Sequence, residues 1–435
     1  MYKINTIFFE KILSSLLYIL PIALVTSSFM SDFCVSVASL IFIILIIYKK
    51  EFFYLKNKFF FFFIIWNFYL IIISLISDNL YLSLESSLFY FRFGIYSLSI
   101  WYLLDNFRNF HKYFFYSFIG VFIFVIIDAF FQLFNGENFF GFPDMDSNGN
   151  KRLSGIFNEE FVLGSFLSRL LPVLIGILFL NQLNKKLETS LIISIIIFTN
   201  VIVFLSGERS AFFYSIISSL IILFFLVNGK LIKLITISLS LIFITMISLN
   251  FNHGKDRILN LTIKQFNFFG NNTSNGIEFN DLKLFSIQHE VIYKTSLKIF
   301  NDNKFFGIGP KMFRIICDND QYYTYTKLDG SINGCQTHSH NTYIQLLTET
   351  GIVGTIPIIL VFLFSVNYLF KVILLRNITT NNIFFFKTCM FTALFVSLWP
   401  FIPTGNFFNN WINSIYYMPV GFLLYYYNSN KINNN

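Results

Sequence analysis

The chain has 435 residues, of which 55% are hydrophobic, 20% aromatic and only 12% charged, with a formal net charge of +8. Soluble proteins carry about 25% charged residues, so this chain cannot cover a water-facing surface; disorder, a coiled coil and a disulfide-stapled secreted domain are excluded as well. Its positive residues sit in short connections between apolar runs, which speaks for membrane topology and against nucleic acid.

A bilayer core takes about 20 apolar residues per helix. Runs of that kind lie near 12–30, 33–48, 59–77, 88–104, 113–134, 161–180, 189–206, 211–228, 231–249, 352–371, 384–402 and 411–427. The fold expected is an all-α polytopic membrane protein with about twelve transmembrane helices. Arg92 falls in the fourth run and Arg169 in the sixth, and an ionised side chain at that depth should face protein or a watery cavity. The first run is longer than a signal-peptide core and lacks a small-residue cleavage site, so it reads as a helix.

Lysine and arginine fall on alternate connections. One side holds Lys49, Lys50, Lys56 and Lys58; Arg108 and Lys112; Lys185 and Lys186; Lys230 and Lys233; and Lys371 and Lys387. The other holds only Lys151, Arg152 and Arg209 among the short connections. Both termini are therefore expected in the cytoplasm. The long stretch 250–351 lies on the outer side, because long segments translocate largely regardless of charge. Residues 1–249 thus form nine helices, 250–351 a large outer loop, and 352–435 three helices and a tail.

Within the outer loop, Asn271 to Gly276 reads as a turn. Ile292, Tyr293, Leu297, Ile299 and Phe300 give an amphipathic helix near 286–301 that would lie on the membrane. Cys317 and Cys335 also fall here and are disulfide candidates; closing such a loop contributes about 3 kcal/mol. Spacing alone leaves the bonded and free forms both open. Cys34 and Cys389 fall in or beside spans and read as core.

Three constellations could carry chemistry. The densest runs from Thr337 to Gly351 and includes His338, His340, Asn341, Gln345 and Glu349. Asn341 suits an N-cap and Gly351 a helix end, giving a short amphipathic helix with His340 at its amino end. Such an end favours anions, and a histidine there can act as a general base if it is kept neutral. The bland alternative is that His340 only sits beside the cap. His338-x-His340 lacks a nearby third ligand, so no metal and no cofactor are expected. The second constellation is Ser206-Gly207-Glu208-Arg209-Ser210, where Ser210 can cap the following helix. Arg209 at the bilayer rim is either a snorkelling side chain or a fork for phosphate oxygens. The third, Arg152 to Glu160, places Glu159 and Glu160 where they read as helix-capping acids; neighbours on a helix do not face each other as a glycosidase pair must. Gly307-Ile308-Gly309-Pro310 is a turn, with no strand and helix to frame a nucleotide loop. Asp144-Met145-Asp146 and Asp318-Asn319-Asp320 are short acidic patterns of the kind that arise by chance.

Phe306 to Phe313, followed by Thr337-His338-Ser339-His340-Asn341 through Gly351-Ile352-Val353-Gly354, resembles the O-antigen ligase and polymerase superfamily. Gly207-Glu208-Arg209-Ser210-Ala211 and Arg152-Leu153-Ser154-Gly155 match its earlier segments in order. The resemblance implies a GT-C-type glycosyltransferase in the bacterial inner membrane. It would take glycan from an undecaprenyl-diphosphate carrier on the periplasmic face and join it to an acceptor hydroxyl, on lipid A core or a growing glycan. It puts the family's histidine on His340 and its rim arginine on Arg209, the expected catalytic pair. A second family arginine is replaced here by His289, with Arg257 or Arg314 in a position to compensate. Arg152 and Arg169 are candidates to bind substrate phosphate, and Asn341 and Glu349 complete the expected substrate-binding set. The partners implied are the lipid-linked donor, the acceptor and membrane lipids, with no nucleic acid.

Ligase is the reading adopted, with polymerase of the same superfamily as the alternative. A polysaccharide or lipid-linked sugar transporter is the second alternative, since such proteins also have about twelve helices. Transporters show internal repeats and polar residues at the midplane, whereas here the polar constellations gather at the outer rim.

Overall fold

The computed structural model describes residues 6–145, 149, 151–181, 183–227, 229–260, 262–263, 286–324, 333–374 and 381–432. The expected turn at 271–276, together with Asp146, lies outside the described residues. Every one of the twelve apolar runs coincides with a helix. In chain order the helices are α1 Thr6–Thr26, α2 Ser28–Lys49, α3 Lys58–Leu75, α4 Leu80–Ser87, α5 Phe91–Asn106, α6 Phe110–Asn135 and α7 Leu163–Leu180. They continue with α8 Lys185–Leu205, α9 Arg209–Leu226, α10 Lys230–Asn250, α11 Ile287–Asp302, α12 Thr342–Leu374, α13 Asn382–Ser397 and α14 Asn410–Ile432. Among the described residues, eight helices are long and apolar enough to cross a membrane, and α9 and α13 are shorter apolar helices. Lipid offers the backbone no hydrogen bonds, so segments this apolar close their bonds internally as helices.

The arrangement follows from which helices lack a polar face. α7 is buried along nearly its whole length and packs against α8, α9 and α13, so it is the centre of the bundle. α10 buries only Thr236, Ser240 and Ile244 and lies at the outside. The charge in α5 is handled as its depth requires: Arg92 Nη2 and Nε reach Asp32 Oδ1 at 2.7 and 3.0 Å, and Asn410 Nδ2 donates to Asp32 Oδ2 at 3.1 Å.

α11 departs from its expected role. Ile292, Tyr293 and Ile299 are buried against Ile308, Met312, Phe313 and Cys317 in a satellite core, so its apolar face serves this small unit rather than a lipid surface. The sulfurs of Cys317 and Cys335 are bonded, with Cα atoms 5.0 Å apart. α12 breaks at Gly351, whose φ of 64° and ψ of −172° are open essentially to glycine alone. The turn at 307–310 plugs this break. Ile308 N donates to Thr348 O at 3.1 Å, Gly309 N to Glu349 O at 2.8 Å, and Ile352 N to Lys304 O at 2.8 Å. A Cβ on Gly351 would overlap the Phe305 carbonyl.

Candidate active site

His340 stands just ahead of α12, and the chain holds it from three sides. Asn341 Oδ1 accepts from Tyr343 N at 3.0 Å and Ile344 N at 3.1 Å, which makes it the expected N-cap. Its Nδ2 donates to Pro400 O at 2.7 Å. The His340 carbonyl accepts from Thr404 N at 2.9 Å and from Tyr293 Oη at 3.4 Å. His340 has a left-handed φ of 50°, a conformation few residues other than glycine adopt, which these contacts maintain. Because Asn341 itself takes up two of the first amides of α12, that helix end is not the open anion site its sequence suggested.

Two further imidazoles join His340. The His338 ring lies 4.0 Å from it and the His289 ring 5.7 Å, centre to centre. His289 comes from the first turn of α11, where Ser286 Oγ caps the helix and sits 2.6 Å from His289 Nδ1. Ser296 Oγ donates to Ser339 Oγ at 2.9 Å and ties α11 to the loop that carries the histidines. Burial depresses all three. His340 lies below its ordinary value for that reason alone. His289 falls to about 4, first through burial and then through the positive charge of His340 and Arg209. His338 falls to about 3, through burial, then His340 and Arg314. All three rings are therefore neutral at pH 7, and guanidiniums supply the charge around them. Among the described residues, no group of three or more His, Cys, Asp or Glu could hold a metal.

The turn between α8 and α9 forms the other half of the site. Glu208 reaches across it to the amino end of α7, accepting from Gly164 N at 2.7 Å and Ser165 N at 3.0 Å. This bond replaces the cap expected from Glu159 and Glu160, and Ser210 lies inside α9 rather than capping it. Burial raises the Glu208 carboxyl to about 7, against the Arg152 charge and those two amides. Arg152 Nε donates to Ser206 O at 3.0 Å, and its guanidinium lies 4.3 Å over the Phe161 ring. The Arg257 side chain rests on Gly207, and Arg257 is the charge neighbour of Arg209. Arg152, Arg209 and Arg257 thus converge on one turn, and His289 links that group to the imidazoles.

Three residues expected to touch substrate have other commitments. Arg169 is 2% exposed, bonded to Ser165 Oγ, Ser397 O and Tyr416 Oη, with the Tyr214 ring 4.8 Å away. It is enclosed by the bundle because α7 is central. Glu349 is fully buried and accepts from Gln345 Nε2 at 3.0 Å, facing the joint with the 307–313 turn. Asn341, 3% exposed, is occupied by its cap and its bridge to Pro400. Arg314 stands beside His338. His338 and Glu208 join the site without having been assigned a role in it. The His-x-His spacing and the neighbour of Arg209 were the available signals.

Residues 192–359 match the family described as O-antigen ligase. The match takes in less than half of the chain. The matched segment runs from α8 into α12 and takes in Glu208, Arg209, Arg257, His289, Arg314, His338 and His340, whereas Arg152 and Arg169 precede it. Members of that family are membrane enzymes of the ligase or polymerase type. No curated protein matches the chain.

Proposed function

We propose that the protein is an O-antigen ligase that transfers glycan from an undecaprenyl-diphosphate carrier to an acceptor hydroxyl on the periplasmic face of a bacterial inner membrane, with both termini in the cytoplasm. The outer loop at 250–351 supplies the histidines and Arg257, while Arg209 opens α9 and Arg152 comes from the connection between α6 and α7. One observation carries this reading: the half-buried His340 ring stands 5.7 Å from that of His289, which in turn feels the charge of Arg209. A sugar hydroxyl is a poor nucleophile, and a neutral imidazole can take its proton as the oxygen attacks. The bond from the anomeric carbon to the phosphate oxygen breaks, and the lipid diphosphate leaves with the electron pair. Diphosphate is already a good leaving group and needs charge neutralisation, which Arg209 with Arg152 and Arg257 supplies. A single displacement inverts the anomeric centre.

The test is His340→Ala in a strain lacking the native protein, with surface glycan resolved on a gel. Loss of transfer with normal membrane insertion is expected, and near-normal transfer removes His340 from the mechanism. In the deletion strain, bare core with carrier-linked polymer accumulating means ligase, whereas core bearing one repeat means polymerase. Retention of the donor's anomeric configuration in the product would refute the single displacement.

A further inference from the structure

A buried carboxylate–imidazole pair lies away from the histidine cluster, and the proposed mechanism makes no use of it. His253 Nε2 lies 2.7 Å from Asp144 Oδ2, and the side chains are 1% and 5% exposed. The partners are 109 positions apart. Asp144 closes the hairpin that follows α6, and His253 follows the end of α10. Each is tied to an arginine that packs on the turn between α8 and α9. On one side, the Asp144 carbonyl accepts from Arg152 N at 2.7 Å, and Arg152 Nε goes on to Ser206 O at 3.0 Å. On the other, Gly254 packs so closely on the Phe204 carbonyl that no Cβ would fit. Ile258 N then donates to Gly254 O at 2.7 Å, winding the turn that lays Arg257 on Gly207. Gln132 holds the far end of the hairpin, accepting from Ser154 N at 3.1 Å and Gly155 N at 2.8 Å.

We infer that Asp144 and His253 are positioning residues: their bond clamps two remote loops over the 204–208 turn and fixes Arg152 and Arg257 on that turn, where they can meet an anion together. A buried carboxyl group needs a partner of this kind, because burial without a hydrogen bond is costly. Lys151, 3.9 Å from Asp144 and exposed, adds charge only at the rim. The inference rests on the proposed reading insofar as the anion is a diphosphate, but the clamp itself does not depend on the ligand.

The experiment uses the full chain in nanodiscs, with inorganic pyrophosphate as probe and amide hydrogen exchange as a second readout. His253→Ala should weaken pyrophosphate binding about tenfold or more, since displacing a positioned group by about 1 Å costs up to a hundredfold. It should also raise KM for lipid-linked donor more than it lowers kcat. Exchange at Arg152 and Ile258 should accelerate in the same variant. His253→Gln, whose amide can still donate to Asp144, should recover most of both effects. If His253→Ala does not fold, Asp144→Asn replaces it, and exchange and binding are read against wild type in the same way. Binding within twofold of wild type together with unchanged exchange overturns the clamp. Wild-type protein that ignores pyrophosphate while the variant still exchanges faster overturns the diphosphate reading and leaves the clamp standing.

Discussion

Replacing Asn341 asks whether the histidine motif is held from behind. Its side chain makes two kinds of bond: Oδ1 takes the amides of Tyr343 and Ile344, and Nδ2 donates to Pro400 O. Loss of an N-cap costs about 0.5–2 kcal/mol, and loss of a buried hydrogen bond a further 0.5–1.5 kcal/mol or so. Asn341→Ala removes both, for a total of about 1–3.5 kcal/mol. Asn341→Ser keeps the cap and loses only the bridge, so it should cost about 0.5–1.5 kcal/mol. Thermal unfolding in detergent can be followed with a thiol-reactive dye, because Cys34 and Cys389 are free and buried until the bundle opens. Transfer activity should fall further than stability in Asn341→Ala, since His340 is its immediate neighbour and small displacements at a reacting group cost up to about a hundredfold. The reasoning fails if alanine and serine unfold together, or if alanine keeps wild-type activity.

Gly351→Ala should destabilise the chain by at least about 1–3 kcal/mol, the usual strain of its backbone conformation, because Phe305 is held in place and cannot yield; an unfolding temperature equal to wild type would contradict this. The acid limb of kcat/KM should lie below pH 6.5, the ordinary histidine value, because burial lowers His340 and a base works only when deprotonated; rates measured from pH 4 to 8 decide it. Stability should follow the same sign. His289 and His338 are held at about 4 and about 3, below their unfolded values, so the unfolded chain binds more protons and stability declines as pH drops below about 6.5. His338→Gln should make that decline shallower in pH-resolved melts. Reducing the Cys317–Cys335 bond should cost about 3 kcal/mol and loosen the satellite core around α11, seen as faster hydrogen exchange there.

The bundle was readable from sequence because lipid imposes one rule on every span: a long apolar run must become a helix. Arg92 illustrates how far that rule reaches. Its depth required a protein partner, though only coordinates identify Asp32, some 60 positions away, as that partner. The histidine motif was readable as a cap followed by a helix, because Asn341 and its target amides are sequence neighbours. What was not readable is which polar faces turn inward. Gln345, Thr348 and Glu349 form the polar side of α12 and look solvent-bound, yet all three are buried, Thr348 and Glu349 against the 307–310 turn and α11 and Gln345 against Asn406 and Phe407. The α7 cap was missed for the same reason. Glu159 and Glu160 are adjacent to the helix start, while the carboxylate that does the work, Glu208, arrives from the next hairpin of helices. Long-range polar pairs such as Asp144 and His253 leave no periodic trace.

The charge arrangement of the site implies a last, independent test. Arg209 and Arg257 are neighbours of like charge, Arg209 depresses His289, and Arg314 depresses His338, so the site gathers positive groups that raise one another's cost. Glu208, held at about 7 and only partly ionised at neutral pH, offsets them only in part. A fold that collects mutually repelling guanidiniums should gain stability from an anion that enters between them. By mass action, a ligand at a hundredfold above its Kd contributes about 2.7 kcal/mol. Pyrophosphate should therefore raise the unfolding temperature of the wild type, chloride at equal ionic strength should do so far less, and Arg209→Gln should blunt the difference. If pyrophosphate and chloride act alike, the arginines serve only to anchor the turn, and the electrostatic half of the proposed mechanism has to be given up.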